Sequence, residues 1–323
     1  MLLLGDGLWA ASALRHLAAQ GRVAAVVERL RPTSRELGDA ARALGLDCRR
    51  FVEIHAPEAL AWIRALAPDL LLSISYDQIF GPALLDGGFP PILNVHAGHP
   101  ARQRGRAVLC WQLLEGARAV ELCALRVGRG IDNGPLLALS RVALASEDDY
   151  GAALERVAAA VPALLDEALA ALARNEALPA PGAARPVYYP RRLPGDEWID
   201  WSRPSAAILR QVRALAPPNP LARTRCGERE LRVGQASPCA DFPAGAAGAP
   251  GAVIGRERGR GLLVKTGDGA LWISALADAE GSAVPWRELH LSDRLGAGPA
   301  ELELLRRRVS QLEERLARLE AQA

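Results

Sequence analysis

Lysine is almost missing from this chain: Lys265 is the only one among 39 basic residues, so the other 38 are arginines. Methionine occurs once, and aromatic residues make up only 5% of the 323 residues. Alanine and glycine are abundant together with arginine, and this combination is typical of a biased genomic base composition. We attribute the arginine excess to that bias. An isolated arginine is therefore weak evidence for a binding site.

The chain also lacks an excess of charge of either sign, because its formal net charge is only +2. A large nucleic-acid-binding surface requires a clear excess of positive charge, so this balance argues against a chain built mainly for that role. The composition, 50% hydrophobic and 24% charged, is typical of a globular protein. The length is sufficient for two domains.

Disulfide and membrane signals are missing as well. The five cysteines are scattered, odd in number and form no CxxC pair, which favours reduced thiols. No apolar run approaches the length of a membrane span. Met1 leads directly into the apolar residues Leu2–Leu4 without a basic segment or a cleavage site. We therefore expect a cytoplasmic protein without a membrane partner.

Residues 1–178 alternate short apolar runs with helical patterns. Apolar runs at Leu2–Leu4, Val23–Val27 and Leu70–Ile74 predict buried strands, and the segments between them have helical periodicity. This alternation predicts an α/β fold with a parallel-rich, Rossmann-like sheet. The turn Gly5–Gly7 is a weak phosphate-loop signal, because the third glycine of the GxGxxG pattern is missing. A tight βα turn is the simpler interpretation.

The loop after the third apolar run is a candidate cofactor wall, because ligands of open α/β sheets bind beyond the carboxyl ends of strands. Its candidate residues are Ser75, Tyr76, Gln78 and Ile79. The alternative is an ordinary strand-to-helix loop in which Tyr76 packs on the core.

Two helical patterns are predicted beyond this loop. Trp111 lies on the apolar face of a helical pattern over residues 107–114, and we expect it in the core. A long helical region runs from Ser146 to Arg174, and Ser146 is expected to cap its first turn.

The strongest chemical signal is the segment Ile92–His96, in which an apolar run delivers an amide and an imidazole. Residues two apart on a strand share a face, so Asn94 and His96 should project side by side. A carboxylate, Asp132, lies in the turn Gly130–Gly134. An amide can hold a developing oxyanion, an imidazole can take a proton, and a carboxylate can orient the imidazole. These residue types together favour acyl transfer.

The composition changes at residues 179–187, where proline, alanine and glycine predict a linker. A helix is predicted from about residue 204 to 214. Short strand patterns separated by glycine turns follow it, at Glu230–Val233, Ala252–Ile254, Leu262–Thr266 and Leu271–Leu276. Their number and spacing predict a small OB-like β-barrel domain over residues 188–298.

The tail, residues 299–323, has a heptad pattern. Apolar residues recur at alternating spacings of three and four, at Leu302, Leu305, Val309, Leu312, Leu316 and Leu319. This repeat predicts a coiled-coil helix, with Arg308 and Arg315 at g and Glu313 and Glu320 at e, where they can pair between parallel helices. The alternative is a single amphipathic helix packed on its own domain.

Several motifs together resemble one family. Asn94-x-His96, Arg104-Gly105 and Ile131-Asp132-x-Gly134, in this order and spacing, are similar to the folate-dependent formyltransferases. That family includes methionyl-tRNA formyltransferase and the nucleotide-sugar N-formyltransferases. The segment from Tyr188 to Trp201 resembles the start of the family's C-terminal domain. The resemblance extends to about residue 290, and the predicted coiled coil lies outside it.

The resemblance implies a reaction and a set of roles. A formyl group would pass from 10-formyltetrahydrofolate to an amine through a tetrahedral intermediate, in which Asn94 and His96 stabilise the oxyanion. His96, oriented or charged by Asp132, would also help to remove the proton of the amine, which attacks only when neutral. The folate would contact the 73–79 loop and Ile131. A metal held by His96, His99 and Asp132 is possible from the ligand types, but the spacing is generic and we expect none.

The branch of the family is indicated by the residues around this site. The methionyl-tRNA branch usually carries Ser-Leu-Leu-Pro after the histidine, whereas this chain has Ala97-Gly98-His99-Pro100. The turn Arg104-Gly105-Arg106 resembles the nucleotide-sugar enzymes, and arginine suits a pyrophosphate. We therefore expect a nucleotide-linked amino sugar as the acceptor and no tRNA partner. The candidate substrate-binding residues are His99, Arg104, Gly105 and Arg106, with a solvated surface role as the alternative for the arginines and loop filling for His99.

Two other functions stay open at this stage. Methionyl-tRNA formyltransferase is the alternative with the same chemistry. A non-catalytic scaffold, oligomerised by the coiled coil, is the alternative of another class, and the presence of Asn94, His96 and Asp132 together argues against it. We expect a homo-oligomer, with a dimer as the first prediction.

Overall fold

A computed structural model describes residues 1–178, 185–243, 248–291, 293–296 and 299–320, without the side chains of 299–306 and 316–317. The chain divides into two compact units, Met1–Arg192 and Leu193–Ala323. Residues 179–184 of the predicted linker lie outside the described part. No helix within the described ranges is long and apolar enough to cross a membrane.

The first unit is built on a seven-stranded sheet whose order is β3-β2-β1-β4-β5-β7-β8. The pairs among β1–β5 are parallel, and β7 and β8 are added antiparallel at one edge. This confirms the predicted α/β fold with a parallel-rich sheet. The strands of this unit are β1 Leu2–Gly5, β2 Ala25–Glu28, β3 Asp47–Arg49, β4 Leu71–Ile74, β5 Ile92–His96, β6 Gln103–Gly105, β7 Ala119–Arg126, β8 Leu136–Ala143 and β9 Val187–Tyr189.

Helices cover this sheet, because its central strands must be buried on both faces. Every residue of β1, β2 and β4 is buried, which is why these segments read as continuous apolar runs. The helices are α1 Gly7–Ala19, α2 Glu36–Ala43, α3 Pro57–Leu66, α4 Pro82–Leu85, α5 Val108–Glu115 and α6 Tyr150–Ala173.

The predicted cap of the long helix α6 is wrong. Asp149, not Ser146, has the extended backbone of a capping residue, and its side chain accepts a hydrogen bond from the Ala152 amide at 2.9 Å. The Ser146 hydroxyl donates to Glu147 instead. Both residue types are favoured at caps, and only the position at which the helix begins decides between them.

The turn after β1 is closed by a buried carboxylate. Asp6 is 2% exposed and accepts hydrogen bonds from the Thr33 amide, the Thr33 hydroxyl and the Arg29 guanidinium. A negative side chain in this place repels a phosphate group, although the amino end of a helix otherwise attracts one. The geometry is that of a tight βα turn.

Strands β6 and β9 form a separate two-stranded parallel pair, which we call the ribbon. The Arg104-Gly105-Arg106 segment is therefore not a simple turn, since Gln103–Gly105 is a strand. Its partner β9 lies 84 residues further along the chain, as measured from Arg104 to Tyr188. The ribbon belongs entirely to the first unit.

The second unit contains an antiparallel sheet, with the order β10-β11-β14-β13-β12 and β15 paired to β14. Arg294 forms a bridge to Ala252, just before one edge strand, and Leu295 forms a bridge to Cys226, the last residue of the other edge strand. Lys265 is buried, 7% exposed, and donates to the Thr266 carbonyl. The elements are α7 Ser205–Ala214, β10 Ala222–Cys226, β11 Arg229–Pro238, β12 Val253–Glu257, β13 Gly261–Lys265, β14 Ala270–Ala277, β15 Ala283–Val284 and a 3-10 turn at Trp286–Glu288.

The tail forms one helix, α8 Pro299–Glu320. Three of its predicted heptad residues, Val309, Leu312 and Leu319, are 52–58% exposed. The side chains of Leu302, Leu305 and Leu316 lie outside the described part.

Candidate active site

Strand β5 carries the amide and the imidazole to one face of the sheet. It pairs in parallel with β4 on one side and antiparallel with β7 on the other. Asn94 lies beside Ser73 and Leu125, and His96 lies beside Cys123. Because residues two apart on a strand share a face, Asn94 and His96 project together, as the sequence predicts.

Both ring nitrogens of His96 face oxygen acceptors. The ring is buried, with Nε2 2.8 Å from the Gln103 carbonyl oxygen and Nδ1 3.6 Å from Oδ2 of Asp132. A neutral imidazole has one N–H, and the shorter contact places it on Nε2. Nδ1 then carries the lone pair, and a proton gained there is stabilised by the carboxylate. The geometry makes Nδ1 the basic atom of the site.

Asp132 is held in a constrained turn. Its φ is +46°, in the left-handed region, which aspartate tolerates better than most residues. Its Oδ2 accepts a hydrogen bond of 2.9 Å from the Gly105 amide. The turn also requires Gly134, because a Cβ there would lie 1.7 Å from the Arg126 carbonyl oxygen. A left-handed residue of this kind is typical of functional sites.

Gly105 connects this carboxylate to the ribbon. Its φ is +101°, and a Cβ built on it would lie 2.3 Å from the Tyr189 carbonyl oxygen. No other residue type fits both the backbone angle and the close approach of β9.

Gly105→Ala is expected to lower the free energy of unfolding by at least about 1–3 kcal/mol, the scale of backbone strain at a left-handed position. It should also lower turnover, because β6 must move away from β9, and the Gly105 amide on β6 donates to Asp132. Chemical denaturation and steady-state rates measure the two effects. Gly195→Ala is the matched control, since φ is +109° there but no atom lies within 4 Å of the added Cβ. Equal losses in the two variants would show that contact with Tyr189 contributes nothing.

The residues predicted to form the cofactor wall have different environments. The Tyr76 ring stacks on Phe80 with centroids 6.1 Å apart. Burial, and then the Asp77 charge, raise the pKa of Tyr76 to about 12, so its hydroxyl stays protonated. That hydroxyl is buried and has no hydrogen-bond partner among the described residues. Ser75 has a φ of +56°.

Gln78 and the two isoleucines complete the predicted wall. The Gln78 amide joins two loops, because it accepts from the Ile54 amide and donates to the carbonyls of Phe51 and Val52. Ile79 and Ile131 are exposed, by 73% and 46% respectively. One exposed apolar side chain therefore lies at the end of the loop after β4 and another lies beside Asp132, and both can contact a ligand.

The predicted substrate-binding residues make local contacts around the site. His99 accepts a hydrogen bond from the Ala101 amide. Arg104 donates to the Pro100 carbonyl and to the Tyr188 hydroxyl. Arg106 donates to the Asp77 carbonyl at 3.1 Å, which brings residues 104–106, called the basic segment below, against the loop after β4.

Two features of the site were missed by sequence reasoning. The Gln103 carbonyl and the Gly105 amide contact His96 and Asp132, but every residue has the same backbone groups, so the sequence does not reveal these contacts. Cys123 donates to the Gly98 carbonyl beside His96. Burial, followed by the charge of Asp132, raises the pKa of its thiol, so the sulfur is a neutral filler rather than a nucleophile.

A cavity of about 540 Å³ lies against the ribbon. Its lining includes Arg102, Gln103, Gln112, Glu121, Arg141 and Tyr189. None of the three candidate catalytic side chains lines it. No group of three or more histidine, cysteine, aspartate or glutamate residues within the described ranges is arranged to hold a metal ion.

Comparison with known proteins identifies the family. The family model described as "Formyl transferase" matches residues 16–169, and the one described as "Formyl transferase, C-terminal domain" matches residues 193–293. A methionyl-tRNA formyltransferase of Halorhodospira halophila is 35% identical over 239 residues, which is 72% of this chain and 76% of that protein. The chain belongs to the formyltransferase family.

This formyltransferase also shares its fold with solved structures at lower identity. One is an N-formyltransferase of Helicobacter canadensis, in a complex with folinic acid and dTDP-3-aminofucose. It is 13% identical with a TM-score of 0.62, covering 84% of this chain and 98% of that one. Another is HypX of Aquifex aeolicus in complex with tetrahydrofolic acid. It is 19% identical with a TM-score of 0.61, covering 89% of this chain and 46% of that one.

Proposed function

We propose that this formyltransferase transfers the formyl group of 10-formyltetrahydrofolate to the amino group of a nucleotide-linked amino sugar. The observation that carries the chemistry is the buried His96, with its basic Nδ1 3.6 Å from Asp132 and with Asn94 beside it on β5. This set supplies an oxyanion donor, a base and a charge that stabilises the protonated base.

The roles of the three side chains follow from their chemistry. Asn94 donates its amide N–H to the formyl oxygen as the carbon becomes tetrahedral. His96 takes the proton of the attacking amine on Nδ1, and Asp132 stabilises the resulting imidazolium. A new C–N bond forms to the acceptor amine, and the bond between the formyl carbon and N10 of the donor breaks. His96 returns the proton to the departing N10 and is neutral again.

The donor fits the wall formed by the loop after β4 and the Asp132 turn. Its flat pterin ring needs apolar contacts and a few hydrogen-bonding groups. Ile79 and Ile131 provide exposed apolar surface, and the buried Tyr76 hydroxyl has no partner among the described residues. In this proposal Ser75 completes the wall, and Gln78 acts by fixing the loop to residues 51–54.

The acceptor fits the basic segment. A guanidinium has five N–H donors, and the contacts described above use two of Arg104 and one of Arg106. Both therefore keep donors for the pyrophosphate of a nucleotide sugar, with Tyr188 exposed beside Arg104. His99 and the Gly105 backbone complete the acceptor side. The second unit adds no strong positive charge, since residues 193–296 contain 13 basic and 12 acidic residues.

Methionyl-tRNA formyltransferase remains the second candidate, because a relative at 35% identity carries that name. The two candidates share the catalytic residues and differ in the acceptor. Binding of tRNA requires a basic surface, and its affinity falls steeply with salt.

The deciding assay measures tetrahydrofolate release by the purified chain. Formyl-tetrahydrofolate is supplied with a panel of nucleotide-linked amino sugars, and charged initiator tRNA serves as the parallel acceptor. Turnover with a sugar and none with tRNA supports the proposal. Turnover with tRNA alone moves the chain to the translation branch. If every acceptor is silent, absence of formyl-tetrahydrofolate binding by calorimetry rejects the proposal.

We also propose structural roles for the second unit's sheet and for helix α8. The closure of the second unit's edge strands through residues 294–295 supports an OB-like barrel. The exposed apolar residues of α8, flanked by Arg308 and Arg315 at g and by Glu313 and Glu320 at e, support a parallel coiled-coil dimer.

Leu312→Asp is expected to convert the dimer to a monomer, because it places a charge at a d position of the seam. Sedimentation velocity measures the molecular mass. Ser310→Asp is the matched control, since residue 310 is exposed and lies outside the a and d positions. A dimer that survives Leu312→Asp would exclude the tail as its interface.

A further inference from the structure

One short strand, β6, touches both members of the catalytic pair. The Gln103 carbonyl oxygen lies 2.8 Å from Nε2 of His96. Two residues further, the Gly105 amide donates to Oδ2 of Asp132 at 2.9 Å. The first contact fixes which imidazole nitrogen carries the proton, and the second fixes the carboxylate. The position of β6 therefore sets the distance between Nδ1 of His96 and Oδ2 of Asp132.

β6 is not part of the main sheet, and within the described residues its strand partner is β9. The Val187 amide donates to the Arg102 carbonyl at 2.8 Å, and the Arg106 amide donates to the Tyr189 carbonyl at 2.9 Å. These two bonds bracket the strand at both ends. Gly105 permits the close approach, because a side chain there would place its Cβ 2.3 Å from the Tyr189 carbonyl oxygen.

β9 is in turn anchored to helix α5. The Tyr189 hydroxyl donates to both carboxylate oxygens of Glu115, at 2.8 and 3.0 Å. Its ring stacks on Trp111 with centroids 6.3 Å apart and planes 21° apart. The Trp111 indole N–H donates to the Pro190 carbonyl at 2.8 Å. Trp111 and Glu115 are four residues apart, so both face β9 from one side of α5.

We propose that residues 187–190 are a positioning segment of the active site, which holds β6 in register and thereby fixes His96 and Asp132. This inference rests on the proposed function. Tyr189 and Val187 touch neither reacting atom in it, and they act through the backbone of residues 103–105. Removing their contacts should lower the rate of the chemical step and leave binding of the formyl donor nearly unchanged.

The first test removes one backbone bond. Val187→Pro deletes the amide that donates to the Arg102 carbonyl, and Val187→Ala is the control that keeps it, at a side chain that is 56% exposed. We expect Val187→Pro to lower kcat roughly tenfold to a hundredfold, the range for a displaced catalytic group. KM for the formyl donor should stay within about twofold, because the proposed donor wall lies outside β6, whereas Arg104 and Gly105 of the proposed acceptor side lie on it. The proline variant with a kcat within about twofold of Val187→Ala would overturn the proposal.

A second pair of variants keeps the test decisive if the proline variant does not fold. Tyr189→Ala removes both the stacking on Trp111 and the bond to Glu115, whereas Tyr189→Phe keeps the ring. Activity should fall in the alanine variant and be largely rescued in the phenylalanine variant. Equal turnover rates in the wild type and in folded Tyr189→Ala would contradict a positioning role for residues 187–190.

A readout without substrate separates positioning from general stability. The chain has five histidines, so ¹⁵N resonances of the His96 ring can be assigned by comparison with His96→Ala. The perturbing variants should shift the His96 ring away from the Nε2-protonated tautomer, while the His16 resonances stay in place. An unchanged His96 tautomer would contradict the inference. A fully active His96→Ala would instead contradict the proposed function, so the two failures are distinguishable.

Discussion

Replacing His96 with alanine is expected to lower turnover by about a hundredfold or more, the loss that accompanies removal of a proton-transfer group. The variant loses Nδ1, the proposed acceptor of the amine proton, and removes the contact of 3.6 Å to Asp132. Steady-state formyl transfer, with kcat and KM determined separately, measures the effect. The fall should be in kcat, because the proposed role of this buried ring is proton transfer at the reacting atoms.

The chain supplies a matched control for this prediction. His16 forms a second histidine–aspartate pair with Asp166, at 2.8 Å, on the surface where α1 and α6 meet. Exposed pairs contribute little to stability, so His16→Ala should keep turnover within about twofold of the wild type. A His96→Ala enzyme that is as active as His16→Ala would remove the basis of the proposed mechanism.

Asp132→Asn is expected to reduce turnover by a similar factor of about a hundred, on the scale of lost electrostatic stabilisation. Asparagine has nearly the same shape and tolerates the left-handed backbone of residue 132, whereas alanine would add strain at φ +46°. The amide can still accept from Gly105, but it carries no charge to stabilise the imidazolium. The loss therefore reports charge rather than folding.

Asp166→Asn is the control for this change, because it neutralises the other histidine–aspartate pair. Hydrogen bonding from His16 lowers the pKa of Asp166, so that carboxylate is charged at neutral pH, and its replacement removes the same charge from the surface of α6. Thermal unfolding of both variants checks that they are folded. If Asp132→Asn keeps wild-type kcat while folded, the carboxylate does not assist His96.

Asn94 and His96 are predictable because they lie on a regular strand. The apolar run before Asn94 indicates a strand, and the two-residue period of a strand places His96 on the same face. Asp132 is placed by the resemblance of its turn to one family. The parallel sheet follows from the continuous apolar runs of β1 and β4, which only a sheet covered on both faces buries.

The ribbon is not predictable, for a physical reason. β6 and β9 are three residues each, too short for a period, and one contains glycine while the other follows a proline-rich stretch. Their pairing depends on backbone groups, which are the same in every residue. The helical pattern predicts Trp111 in the core, yet its ring packs on Tyr189 and its indole N–H donates to Pro190. Nothing local to Trp111 distinguishes these two environments.

The order in which the ribbon is assembled has a consequence during translation. Tyr188 is added 84 residues after Arg104, which at a typical rate of about 5–20 residues per second is a delay of roughly 4–17 s. A nascent chain that ends within α6 already contains Asn94, His96, Asp132 and β6, but it does not yet contain β9, which pairs with β6. If residues 187–190 position the site as proposed, the growing polypeptide becomes competent for formyl transfer only after most of its first unit has been synthesised.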